Sequence, residues 1–156
     1  ECTKFAVYRL LVHDHHWFLV GRSSFHRRVD VIGVPWISRA ESTDDPYRIP
    51  PRFDLERFLA QAWGVERSPH RYRVRLRFSA RAAPVAEETH RHRALRRTAL
   101  AGGAVELEFI VDGLDEILKW VQGYGDEVEV VEPGELRLLL FKVAVAVANR
   151  HAPEPD

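Results

Sequence analysis

Residues 71–78 read Arg-Tyr-Arg-Val-Arg-Leu-Arg-Phe, an unbroken alternation of guanidinium and apolar side chains. A side-chain period of two belongs to the β-strand, so the segment predicts a strand with Tyr72, Val74, Leu76 and Phe78 on one face and Arg71, Arg73, Arg75 and Arg77 on the other. The apolar face needs a layer packed against it. The charged face needs water, an anionic partner, or neighbouring strands that carry carboxylates. Two later segments carry acids in the same rhythm: Glu106 and Glu108 alternate with Val105, Leu107, Phe109 and Val111, and Glu127 and Glu129 with Val128 and Val130.

The elements between these strands complete a pattern. Residues 82–92 read as a helix, Leu95 to Leu100 as a short strand, and Gly102-Gly103 as the tight turn into the Val105–Val111 strand. Leu114, Ile117, Leu118 and Val121 recur at helical spacing up to Gly123 and Gly125. Pro133 closes the Val128–Val130 strand, and a last helix covers roughly 134 to 149. Strand, helix, strand, strand, helix, strand is the split βαβ, or ferredoxin-like, order. In that sheet the first strand lies between the third and the fourth, so the arginine ladder falls between Glu106 and Glu108 on one side and Glu127 and Glu129 on the other. A ladder neutralised across strands is therefore preferred to a nucleic-acid face.

The first half has a different character. Residues 5–12 and 16–20 are β-rich runs on either side of His13, Asp14 and His15, which predicts a hairpin. A third run, Val29 to Ile37, is interrupted by Gly33 and Pro35, so it is bulged, at an edge, or ends there. Asp44, Asp45, Pro46, Pro50 and Pro51 mark a boundary. Asp54 is a helix N-cap candidate ahead of Leu55, Phe58, Leu59 and Ala62, with the helix stopping by Gly64.

The 156 residues hold 23 basic and 23 acidic groups, yet the charge is segregated. Residues 1–69 carry 10 basic and 9 acidic side chains, residues 70–97 carry 9 and 2, and residues 98–156 carry 4 and 12. Neutrality of the total thus leaves room for a local basic surface. The sequence contains no apolar stretch of membrane-spanning length and no leader, which predicts a cytoplasmic protein without membrane contact. Its single cysteine, Cys2, forms no internal disulfide, and the absence of Met implies a chain that begins partway through a longer product. No nucleophile elbow, phosphate loop or paired-carboxylate site is present, so neither catalysis nor a cofactor is expected. His13, His15 and His16 with His90 and His92 raise a zinc reading, but their spacing suits a tetrahedral site poorly and no metal is expected.

Ordered signatures in both halves point to a known family. Tyr8-Arg9-Leu10-Leu11, Trp17-Phe18-Leu19, Gly21-Arg22-Ser23-Ser24 and His26 resemble the WYL domain, with Phe18 where the family's triplet has Tyr. Phe53-Asp54-Leu55, Trp63-Gly64-Val65, the strand at 72–78, Leu118-Lys119-Trp120, and Gly125 through Glu132-Pro133-Gly134-Glu135-Leu136-Arg137 are similar to the extension that commonly follows it. The resemblance implies an α+β chain. A partial Sm/SH3-like small β-barrel over residues 1–45 lacks its first strand. Residues 46–68 form a linker with a short helix, residues 69–150 a ferredoxin-like βαββαβ domain with a C-terminal helix, and residues 151–156 a tail. It further implies a bacterial transcriptional regulator whose upstream helix-turn-helix binds duplex DNA, and whose barrel senses a nucleotide or single-stranded nucleic acid.

Candidate ligand residues follow. Trp17 offers a stacking face for a base, although its alternating neighbours favour a core position with Phe18 on the opposite face. Arg22, Ser24, His26, Arg27 and Arg28 form an anion-binding candidate, since guanidinium and hydroxyl donors beside a turn suit a phosphodiester. Asp30, Gly33 and Trp36 stand where related sequences carry basic side chains, which removes donors and adds a carboxylate. Arg91, Arg93, Arg96 and Arg97 lack evident partners and are outlying candidates for the same site. The final helix is apolar nearly all round, which predicts burial on its own domain or against a second copy. A homodimer is therefore expected. Two functions stand: a ligand-sensing regulatory region, or a structural dimerisation module with a degenerate site.

Overall fold

The computed structural model describes residues 2–90 and 93–153, the side chains of Thr89 and His90 excepted. The chain divides into two compact units, Glu1–Arg67 and Ser68–Asp156.

In the first unit β1 (Phe5–His13), β2 (His16–Ser23) and β3 (Val29–Gly33) form an antiparallel sheet in the order β1-β2-β3. Asp14 and His15 turn the β1–β2 hairpin at φ 46° and 64°, the left-handed pair that a two-residue turn of this hand requires. A bulge between Val7 and Arg9 leaves Tyr8 without a partner in the register and buries it. Gly21 admits the close approach of β1: a Cβ there would stand 2.1 Å from the Ala6 carbonyl oxygen. β3 ends at Gly33, where Pro35 enters a 3₁₀ turn over Val34–Trp36. One of the outcomes open to the interrupted Val29–Ile37 run is thus the one realised.

α1 (Leu55–Leu59) is capped by Asp54, whose side chain accepts from the Arg57 amide at 3.0 Å. This helix is shorter than the apolar spacing through Ala62 suggests. Ala62, Trp63, Gly64 and Val65 are buried as irregular chain. Gly64 lies against the His13 ring, where a Cβ would meet Nε2 at 2.1 Å. Burial of consecutive residues, rather than one helical stripe, explains why apolar side chains continue beyond α1.

The second unit contains β4 (Arg71–Phe78), α2 (Ala83–His90), β5 (Arg96–Ala99), β6 (Val105–Asp112), α3 (Asp115–Gln122), β7 (Val128–Glu132) and α4 (Gly134–Arg150). Its antiparallel sheet has the order β5-β6-β4-β7, with β4 between β6 and β7, the topology read from the element order. Val74, Leu76 and Phe78 of β4 and Val105, Leu107, Phe109 and Val111 of β6 are all buried, with Ala83 and Ala86 of α2 and Ile117 and Val121 of α3. Trp120 closes edge-on over Phe78 and Phe109, with ring centroids at 5.5 and 6.0 Å. The chain is α+β, with a small β-rich N-terminal part, two antiparallel sheets and a C-terminal helix.

Of the two coverings expected for α4, its own domain supplies only part. Within the helix only Leu136 is buried, while Leu138, Phe141, Val145 and Val147 are exposed. An apolar helix that leans on its own domain through its first turns leaves the remaining apolar surface open. No described helix is long and apolar enough to cross a membrane.

Candidate functional site

The turn from β2 into β3 is built by hydroxyls. The Thr3 Oγ1 lies 3.1 Å from Ser23 Oγ and 3.2 Å from Ser24 Oγ. Ser24 Oγ also accepts from the Lys4 amide at 3.0 Å, and Ser23 Oγ from the His26 amide at 3.2 Å. Ser23 is buried and its amide donates to the Arg28 carbonyl at 3.0 Å. These bonds pin the turn and place Arg27 at φ 56°. Ser24 therefore acts first as a strut between chain segments, and Thr3, twenty residues away, is a member that no local pattern could reveal.

The charged groups on this turn are unevenly committed. His26 Nδ1 lies 2.5 Å from Asp30 Oδ2, and Arg28 Nε lies 3.5 Å from Asp30 Oδ1. Asp30 thus holds two of the five candidate side chains inside the turn. Arg22 and Arg27 are exposed and form no ion pair among the described residues. Nearby, Lys4 Nζ is 2.5 Å from Asp45 Oδ2, and that hydrogen bond, with the carboxylate's charge, raises the Lys4 pKa above its ordinary value.

Trp17 does not join this cluster. It pairs with Val12 at the hairpin end of β2, whereas Arg22 lies near the other end, five residues or about 16 Å along the strand. By alternation the two side chains also leave opposite faces. The preferred core position for Trp17 is corrected by the structure: Trp17 is 55% exposed and Phe18 is 9% exposed. Phe18 packs inward beside Trp36, with ring centroids 6.3 Å apart. Trp17 instead shares the open face of the sheet with Leu10 and Val12, both exposed.

In the second unit Arg93 and Arg97 have partners and Arg96 stands beside a carboxylate across strands. Arg97 Nε is 2.5 Å from Glu87 Oε1 on α2, because Arg97 sits opposite Leu107 on the helix-covered side of the sheet. Arg96 sits opposite Glu108 on the other side. Arg93 is also partnered. Arg91 and His92, with the side chain of His90, lie outside the described residues.

The ladder is neutralised from both flanks. Arg73 Nε meets Glu108 Oε1 at 2.7 Å; Arg75 reaches Glu132 at 2.9 Å and Glu106 at 3.4 Å; Arg77 reaches Glu129 at 2.8 Å and Glu106 at 3.4 Å. Arg71 Nε lies 3.4 Å from the buried Asp112. Glu127 leaves the ladder and takes Ser79 and Arg81, while a bulge in β7 turns Glu132 into it. The Arg73 hydrogen bond holds the Glu108 carboxyl below the usual carboxylate range, assisted by the charges of Arg73, Arg96 and Arg75 against the opposing effect of burial. No three His, Cys, Asp or Glu side chains among the described residues converge on a metal-holding position.

A small antiparallel sheet is thus followed along the chain by a split βαβ domain. The chain belongs to the WCX-domain family, whose domain matches residues 70–148, the whole of the second sheet and most of α4. Among solved structures, Proteasome accessory factor B/C (PafBC) of Arthrobacter aurescens is similar at 17% identity and a TM-score of 0.47, over 96% of this chain and 22% of that one. The chain therefore spans about a fifth of that protein's length. No curated protein matches it.

Proposed function

We propose that the chain is the ligand-sensing regulatory region of a bacterial WYL-type transcriptional regulator. It binds a nucleotide or single-stranded nucleic acid at the β2–β3 turn and thereby controls an upstream helix-turn-helix domain in the cytoplasm. The observation that carries this reading is the pair Arg22, at the end of β2, and Arg27, on the turn that follows, both exposed and without an ion pair among the described residues, where Thr3, Ser23 and Ser24 pin the turn. Planar guanidinium groups held on a rigid turn favour phosphate oxygens. Arg28 and His26 contribute when Asp30 releases them. Trp17 serves as a stacking platform only for a strand long enough to reach the far end of β2. Arg97 contributes at most through its exposed edge, since Glu87 already engages it, and Arg96 lies within the electrostatic reach of Glu108. Control of the upstream domain requires the ligand to bind two of its arrangements with different affinity. Fluorescence-anisotropy titration with short single-stranded DNA and RNA tests this: saturable binding lost on Arg22→Ala with Arg27→Ala supports it, and no saturable binding by the parent chain overturns it.

One observation favours the second reading, a structural dimerisation module with a degenerate ligand site. The exposed Leu138, Phe141 and Val145 share one face of α4 and form an apolar surface that a second copy of the chain would cover.

A further inference from the structure

The first unit carries an open pocket beside the β2–β3 turn, since Val29 in its lining follows Arg28 and pairs with Arg22. It has a volume of about 300 Å³ and is lined by Val29, Arg52, Phe53, Asp54, Arg57 and Phe58. The Phe53 and Phe58 rings, 5.9 Å apart and tilted by 50°, form an apolar corner with Val29. Tyr8 braces Phe53 edge-on at 5.1 Å, and the Arg67 guanidinium lies over Phe58 at 4.9 Å from its centroid. The floor is thus fixed from behind. Arg52 and Arg57 are exposed at the wall and make no ion pair among the described residues.

Three properties of this cavity choose its ligand. Paired half-buried rings accept a flat aromatic body, which stacks or packs edge-on at little entropic cost. Two guanidinium groups bind a planar carboxylate through paired N–H donors. Asp54, whose carboxylate is engaged by the Arg57 amide, leaves the wall net positive, which favours an anion. Size sets only a scale, since about 300 Å³ of open pocket accommodates one or two fused rings with a short acid arm.

We propose that this cavity is a second ligand site that takes a compact aromatic monocarboxylate, with Phe53 and Phe58 holding the ring and Arg52 and Arg57 the carboxylate. The site adjoins the β2–β3 turn through Val29 but binds through side chains that the nucleic-acid reading of that turn does not use. Isothermal titration and ligand-observed NMR of the full chain with indole-3-acetate test it. The expected result is saturable binding with a Kd on the order of 1 mM or tighter, as suits an open site for a ligand of this size. Arg52→Ala with Arg57→Ala weakens it about tenfold or more, and the uncharged indole-3-acetamide binds as weakly to the parent chain. Phe58→Leu, which keeps an apolar side chain but removes the ring, costs severalfold. Arg22→Ala with Arg27→Ala leaves binding unchanged, which separates this site from the turn. Absence of saturation up to about 10 mM, equal binding of acid and amide, or a preference for adenosine 5′-monophosphate over the indole acid each overturns the proposal.

Discussion

Glu108→Gln is the substitution that asks most of the arginine ladder. The Glu108 side chain is 6% exposed and accepts from Arg73 Nε at 2.7 Å. Its charge is also felt by Arg75 and Arg96. A hydrogen bond to a charged group contributes about 1.5–3 kcal/mol. Arg73 is 60% exposed, so solvent screens the Coulomb part toward the roughly 0.2–1 kcal/mol of a surface pair. The amide keeps the shape of the carboxylate and still accepts from Arg73, but removes the charge that Arg73, Arg75 and Arg96 feel, which sets the expected loss at about 1 kcal/mol. With a urea m-value of about 2 kcal/mol/M the midpoint falls by roughly 0.5 M. Arg73→Ala removes the guanidinium that Glu108 engages, so the double variant loses less than the sum of the two singles.

The pH dependence has a definite sign. The Glu108 pKa is lower in the folded chain than the value of about 4.3 expected when unfolded. Its contribution is therefore complete above that value and fades as pH falls through the folded pKa, so the gap between parent and Glu108→Gln narrows in acid. The measurement is a set of urea unfolding curves for parent, both singles and the double, at neutral and acid pH. A Glu108→Gln variant as stable as the parent, or a coupling of zero, refutes the claim that the ladder is a structural device. Loss of single-strand affinity in Arg73→Ala without loss of stability refutes it from the functional side.

Two further outcomes follow from packing. Gly21→Ala sets a Cβ 2.1 Å from the Ala6 carbonyl oxygen and 2.8 Å from the Phe5 ring; because backbone cannot yield as a side-chain tip does, the first sheet loses about 2–3 kcal/mol or its β1–β2 register, read by urea unfolding and amide exchange. Phe141→Lys places a charge on the open face of α4, where Phe141 is 63% exposed. Sedimentation is expected to show self-association in the parent and a monomer in the variant, with stability changed by less than about 0.5 kcal/mol; a parent that stays monomeric removes the dimer.

Much of the second unit was legible in the sequence because both of its signals are periodic. Arg71 to Phe78 and the Glu106/Glu108 alternation fix which side chains share a face, and the element order fixes which strands are neighbours. The bulge that swaps Glu132 for Glu127 in the ladder was not legible, since one extra residue in β7 is a matter of register. Trp17 was misjudged because its run alternates two apolar faces, and period alone does not say which face meets the core. Arg96 and Arg97 were read as unpartnered because Glu108 and Glu87 are neighbours only across strands or from strand to helix. Apolar composition in α4 likewise says that a helix has surface to cover, and says nothing of whether its own domain covers it.

The central claim is that Arg22 and Arg27 at the β2–β3 turn engage a single-stranded nucleic acid or nucleotide. Its most direct test is the salt dependence of oligonucleotide binding by the parent chain and by Arg22→Ala with Arg27→Ala. Each phosphate contact contributes about 0.7 to the slope of log K against log salt for a single strand. The account predicts saturable binding whose slope flattens by about 1.4 in the double variant, with affinity lowered about tenfold or more. Saturable binding with the same slope and affinity in both proteins, or none in the parent, contradicts it.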